Sequence, residues 1–400
     1  MLRSAIAVVL SSTVMTVSIA AQKPTVIKAT NAPVWGVAPK LMPELRIGVL
    51  EGDEEYMFAG VVGVAVGKAG QIFVADGGEK PVVRAYSAAG KFQRNVGGFG
   101  EGPGEYRHLG AIRTFADGRL AVWDNRIQRF TTYSPEGKRL ASARVPSGLF
   151  SSDLLHVTLN GEAFVQTVVR IDPISHAWYF GWIHVTSDLR VADTIAVPVT
   201  QPINSFVSPT PAGFDKPFRP EIISTMTSRG ELLTGSNEKY AFELRRKGGI
   251  VVQIERPYTP LAVTAAEHAE WTALAEYVAR IARADRQKKG RPLGAYVVPR
   301  SKPVFKDLIG DSDGRIWVRR YVPAVSHPGP EPKKGEARPR RVWREPAVFD
   351  VFEPTGRLLG TITLPWDAWF ADAVGMNVYV VQTGPDGDES VQRLRIVPAK

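Results

Sequence analysis

Short apolar runs, interrupted by polar turns in a fixed order, recur along most of this chain. The clearest copies are KAGQIFVAD…RAYSAAGKF, from Lys68 to Phe92, and ADGRLAVWD…TTYSPEGKRL, from Ala116 to Leu140. Each reads as a Gly turn, an alternating strand, a polar turn, an aromatic-bearing strand and a second Gly turn, which is a short antiparallel meander. One meander cannot cover both of its faces, and radial stacking of several does so. The first turn recurs at Gly70, Gly118, Gly161, Gly230, Gly314 and Gly375, each leading into an apolar run, and six such turns predict six blades. The second recurs at Gly90, Gly137, Gly248 and Gly356, with Ser187, Asp188 and Leu189 in its place in the third copy and Asp386 and Gly387 in a distal loop of the sixth. The predicted fold is an all-β, six-bladed β-propeller of four-stranded antiparallel blades.

The spacing of first turns runs from 43 residues (Gly118 to Gly161) to 84 (Gly230 to Gly314), so segments are inserted in the fourth and fifth units. One insertion reads as a helix over 264–289. Thr264 and Glu267 have capping-box spacing, and Trp271, Leu274, Ala275, Val278, Ile281 and Ala282 share one face; Gly290 and Pro292 end it. It is either a rim decoration or a lid over the channel mouth. The other, residues 323–346, is Pro-rich and basic, and its composition predicts a mobile loop. Its Lys333, Lys334, Arg338, Arg340, Arg341 and Arg344 are either a solvated tip or a patch for polyanions.

Residues 1–21 read as a signal peptide: Arg3, an apolar stretch from Ala5 to Ala20, and a small-residue cleavage site at Ser18-Ile19-Ala20. The expected location is periplasmic or secreted, with a membrane contact only if that segment stays uncleaved. Residues 22–43 read as an extended lead-in, and 44–397 as one propeller domain. The alternating ELRIGVL, Glu44 to Leu50, is expected to close the ring against Ser390 to Val397, protecting edges that otherwise pair between molecules.

Composition narrows the chemistry. Across 400 residues with 44% hydrophobic content there is no cysteine, which removes thiolate metal sites, thiol nucleophiles and disulfides from consideration. The net charge of +10 lies largely in the second half. For an exported monomer the matching partners are an anionic glycan, a peptide or an envelope protein, not nucleic acid. Trp123, Trp178, Tyr179, Trp182 and Trp366 could stack on sugars or pack between blades.

The repeats, together with NVGGFGEGPGEY from Asn95 to Tyr106, resemble the six-bladed β-propeller family with NHL-type repeats, which has many exported bacterial members. The resemblance spans Glu44 to Val397. It implies that the run Gly98, Gly100, Gly102, Pro103, Gly104, Glu105, Tyr106 joins the outer strand of one blade to the inner strand of the next. As a phosphate cradle the run fails, because Pro103 occupies the third glycine position and a strand follows instead of a helix.

Candidate catalytic residues are dispersed. No His pair has metal-helix spacing, and Asp311-Ser312-Asp313-Gly314 reads as a hairpin turn more readily than as a calcium loop. Residues just before the inner strands should converge on the channel mouth, which nominates His108, Asp153, Glu221, Asp307 and Asp367. They form either a hydrated polar entrance or a ring for acid/base chemistry or a divalent cation, with Asp153, Glu221 and Asp307 as candidate ligands. Related propellers that act as lactonases and lyases use such rings. No cofactor is predicted outside that case. The favoured function is a non-catalytic exported binding or scaffold module; the alternative is a metal-dependent hydrolase or lyase working in the channel. Deleting residues 22–50 should open the ring and cause aggregation, visible by size-exclusion chromatography, and a monodisperse truncated protein would contradict the predicted closure.

Overall fold

The computed structural model describes residues 24–146, 151–171, 178–197, 216–246, 248–249, 251–286, 296–329, 331 and 337–399. The signal segment, Lys333, Lys334 and the expected helix stop at Gly290 lie outside them. The described residues form six four-stranded antiparallel blades, with the first strands packed side by side around the axis. Blade one is Val61–Val66, Ile72–Asp76, Val82–Tyr86 and Phe92–Val96. Blade two runs from Ala111–Thr114 to Arg139–Arg144, blade three from Ser151–Val157 to Val191–Ala196, and blade four from Ile222–Met226 to Val251–Glu255. Blade five comprises Phe305–Gly310, Ile316–Arg320, Val348–Phe352 and Leu358–Thr363.

Strand alternation becomes packing in a simple way. Successive side chains point to opposite faces, and here both faces are covered by neighbouring blades. In Ile72–Asp76, Ile72 and Val74 pack into the cluster shared with blade six, while Phe73 and Ala75 pack into the one shared with blade two. In Leu120–Asp124, Leu120 and Val122 face blade one, and Ala121 and Trp123 face blade three. Six apolar clusters result, one at each blade interface. Trp123 and Trp182, both wholly buried, belong to these interfaces and are packing residues.

Blade six contains the closure. Ala368–Val374, Asn377–Thr383 and Glu389–Val397 are completed by the N-terminal Lys40–Ile47, paired antiparallel with Glu389–Val397. The closing strand thus starts four residues before the expected Glu44. The lead-in is itself structured. Thr25–Lys28 adds a fifth, parallel strand to blade four alongside Val252–Glu255. The chain then exchanges hydrogen bonds between Asn31 and Leu358 of blade five, and buries Trp35 between blades five and six. Residues 25–47 therefore strap three consecutive blades.

The turn chemistry follows expectation. Leu189 adopts φ 63°, the left-handed conformation that glycines hold at the corresponding turns of other blades. The glycine run is a stitch between blades: Gly98–Phe99 pairs in parallel with Glu105–Tyr106, and the buried Tyr106 hydroxyl donates to the Val96 carbonyl and accepts from the Val83 N–H. At Gly97 a Cβ would lie 2.6 Å from the Tyr106 ring, so only glycine fits there. Asp311 accepts from the Asp313 and Arg315 N–H groups and from the Arg315 and Trp317 side chains, which makes the supposed calcium loop a hairpin turn.

Trp35→Ala should lower the unfolding free energy by about 3–5 kcal/mol, the usual cost of truncating a buried aromatic. Urea titration would measure it; a loss below about 1 kcal/mol, the level of an ordinary substitution, would show that the strap contributes little.

Candidate functional site

In four-stranded meanders, the turns between strands one and two and between three and four lie at one end of the propeller, and all other connections lie at the opposite end. The recurring Gly turns therefore share one face. The helix insertion, between Val251–Glu255 and Phe305–Gly310, and the basic insertion, between Ile316–Arg320 and Val348–Phe352, both emerge on the other. That cap face is where the nominated residues lie.

The ends of the second strands position several of them. The Asp124 carboxylate accepts the N–H groups of Arg107 and His108, and the Asn237 side chain accepts that of Glu221. Asp76 does the same for Ala59 and Gly60 while pairing with Arg84. The nominated residues do not join into one ring. His108 and Asp153 approach to 3.9 Å, and burial raises the Asp153 pKa. Glu221 pairs with Arg219 at 3.2 Å and Asp307 with Arg319 at 3.4 Å. Among the described residues no group of three or more His, Asp or Glu side chains could hold a metal ion.

The channel itself is lined by Arg113, His156 and Asp372 from within the inner strands and by Ser312 from the turn that follows one. Arg113, His156, Ser312 and Asp372 meet at the axis around a space of about 20 Å³, enough for one water molecule. Arg113 and Asp372 are buried opposite charges; burial pulls the Arg113 pKa down and pushes that of Asp372 up, and each moderates the other. The Ser312 hydroxyl donates to Asp372 at 2.6 Å, and His156 Nε2 meets the Thr225 hydroxyl at 2.9 Å. Burial lowers the His156 pKa to about 3 and raises that of Asp311 to about 6. A charged residue inside an apolar inner strand, as in AIRT or FADAV, was the available signal.

Room for a ligand lies elsewhere on the cap face. A cleft of about 790 Å³ opens between the basic insertion and blade six, lined among others by Arg46, His327, Arg344, Trp366, Asp367 and Gln382. Two groups nominated separately meet here: Arg344 Nη2 donates to Asp367 Oδ1 at 2.5 Å. His327 stacks on the Trp366 ring at 3.8 Å and 10° and places Nε2 3.7 Å from Asp367 Oδ2. The hydrogen bond from Arg344 holds the Asp367 pKa below the usual carboxylate value. Asp367 has φ 57°, a left-handed backbone that Asp tolerates better than most residues.

The described part of the basic insertion makes specific contacts. Val325–Ser326 pairs with Trp343–Arg344, and the Arg341 guanidinium lies 3.7 Å from the centre of the Trp271 ring on the helix. Arg340 donates to the Gly329 carbonyl and to Glu331, and Arg338 is exposed. The two insertions thus pack on each other.

No protein-family profile and no curated protein sequence matches the chain. Solved structures do. A member of the DUF4221 family from Bacteroides vulgatus superposes with a TM-score of 0.50 at 9% identity, over 90% of this chain and 99% of that one. A protein from Bacteroides fragilis described as exported gives 0.48 at 10% identity, over 94% and 99%. A catalytically inactive virginiamycin B lyase from Staphylococcus aureus, with quinupristin, gives 0.41 at 10%, over 90% and 99%. At these identities the likeness concerns the propeller fold alone. Among the described residues no helix is long and apolar enough to cross a membrane.

The channel histidine makes a testable contribution to acid stability. The unfolded chain binds a proton at His156 near its ordinary pKa of about 6.5, whereas the native state resists protonation down to about 3. Stability from this group is complete above about pH 6.5 and is lost as pH falls toward 3. Asp311 acts in the opposite sense, because its raised native pKa makes stability fall as pH rises from about 3.8 to about 6. His156→Gln should therefore close the gap to wild type by about 3 kcal/mol between pH 7 and pH 4, measured by denaturant titration; a pH-independent gap would contradict a neutral buried His156.

Proposed function

We propose that the protein is an exported, non-catalytic binding module whose cap-face cleft holds an anionic glycan of the cell envelope. The observation that carries this reading is the division between a filled channel and an open cleft. At the axis Arg113, His156, Ser312 and Asp372 surround only about 20 Å³, whereas the cleft offers about 790 Å³ with guanidinium groups in its walls. Arg46 is well exposed and held only by a 3.3 Å contact to Asp388, so an incoming carboxylate or sulfate can replace that partner. Pro328 and Pro385 add apolar surface, while Gln382 and Thr383 supply hydrogen-bonding groups, the mixture a hydroxyl-rich chain requires.

The resemblance of the repeats to NHL-type propellers, many of them exported, and the signal-like first residues support an envelope setting. The nominated carboxylates favour binding over catalysis, since Glu221, Asp307 and Asp367 each sit in an arginine pair.

Titration with polygalacturonate, with dextran as neutral control, should show binding at low ionic strength that weakens steeply with added salt. Arg46→Gln and Arg344→Gln should each weaken it about tenfold, corresponding to about 1.4 kcal/mol. Absence of binding at low salt, or equal binding to dextran, would overturn the reading.

A further inference from the structure

We infer that the inserted helix, Ala265–Arg286, is a buttress of the cleft: it fixes the strand that presents Arg344, making Lys302 and Glu270 positioning residues for the ligand. The inference rests on the cleft being the binding site. Its structural basis is a set of contacts flanking Arg344 on both sides. Upstream, the N–H groups of Val342 and Trp343 donate to Glu270 Oε2 of the helix at 3.0 and 3.1 Å. Downstream, Glu345 accepts from Lys302 Nζ at 2.6 Å and from Lys306 Nζ at 2.7 Å.

Lys302 links the parts. Its side chain is wholly buried, and besides Glu345 its ammonium group donates to Glu267 of the helix and to the Val322 carbonyl on the other leg of the insertion. Glu267 also closes the capping box, accepting from the Thr264 N–H while Thr264 Oγ1 accepts from the Glu267 N–H. Lys302, Glu267 and Glu345 are thus paired out of contact with water, with the partly exposed Lys306 as a second cation on Glu345. In such a group, removal of one member is costly because its partners are left buried and unpaired. Neighbouring residues of an extended strand point to opposite sides, so anchoring Trp343 and Glu345 leaves Arg344 directed to Asp367 and the cleft.

Glu270, Lys302 and Glu345 belong to the connections on the cap face, and only Lys306 to a blade strand, so the wall can be loosened at the first three while the propeller stays folded. The test combines hydrogen exchange with polygalacturonate titration on the full chain. Glu270→Ala should speed exchange at least about tenfold in the ladder of Val325–Ser326 with Trp343–Arg344, read at amides other than that of Trp343, which Glu270 itself holds. It should also weaken polygalacturonate binding about tenfold, with the main thermal transition unchanged. Lys302→Met should do the same more strongly, and Lys302→Arg should restore much of the binding. By linkage, polygalacturonate should slow exchange in the first turns of the helix in wild type. Unchanged ladder exchange in Glu270→Ala would overturn the buttress whatever the binding result. Faster exchange with unchanged affinity would overturn the positioning role and leave the cleft reading standing. A wild-type protein that ignores polygalacturonate would overturn both the cleft reading and the role assigned to Lys302 and Glu270.

Discussion

Every blade of this protein must bury two apolar faces at once, and that demand organises the rest. A strand such as Ile72–Asp76 sends alternate side chains into two different interfaces, so no blade is stable without a neighbour on each side. Six blades meet the demand only when the ring is complete. Lys40–Ile47 completes it by joining Glu389–Val397, and Trp35 fills the interface beside that junction.

Once the blades are fixed, the two ends of the ring are free to diverge. Tight turns occupy one end, where successive strands must reverse within a few residues. The other end accepts long connections without disturbing any ladder, and both insertions lie there. They are not independent additions: Arg341 against Trp271, and Lys302 between Glu267 and Glu345, make the helix and the basic segment one body beside the cleft. Polar chemistry divides in the same way. Arg113 and Asp372 serve cohesion at the axis, whereas Arg344 and His327 face a space large enough for a ligand.

What was legible in the sequence was local. Turn residues, alternation and the Thr264–Glu267 cap act within a few positions, so they revealed the blades, the helix and, through ELRIGVL, the closing strand to within four residues. The lead-in strand TVIK escaped because four residues carry no period and its partner, Val252–Glu255, lies more than two hundred positions away. The channel residues escaped because a search placed before the inner strands misses Arg113 and Asp372 within them. The cleft joined Asp367 and Arg344, nominated for different reasons, since an ion pair between distant loops leaves no spacing to read. His327 on Trp366 was equally hidden.

The strap across blades four to six carries a consequence for the order of assembly. Residues 25–47 are synthesised well before their partners, from Val252 to Val397. That segment must therefore wait for blades four to six before it can pair. Contacts so distant in sequence slow folding and prolong the time in which exposed edges can find the wrong partner. The same delay keeps the ring open until Glu389–Val397 has been made, so closure is the last event and not an early one.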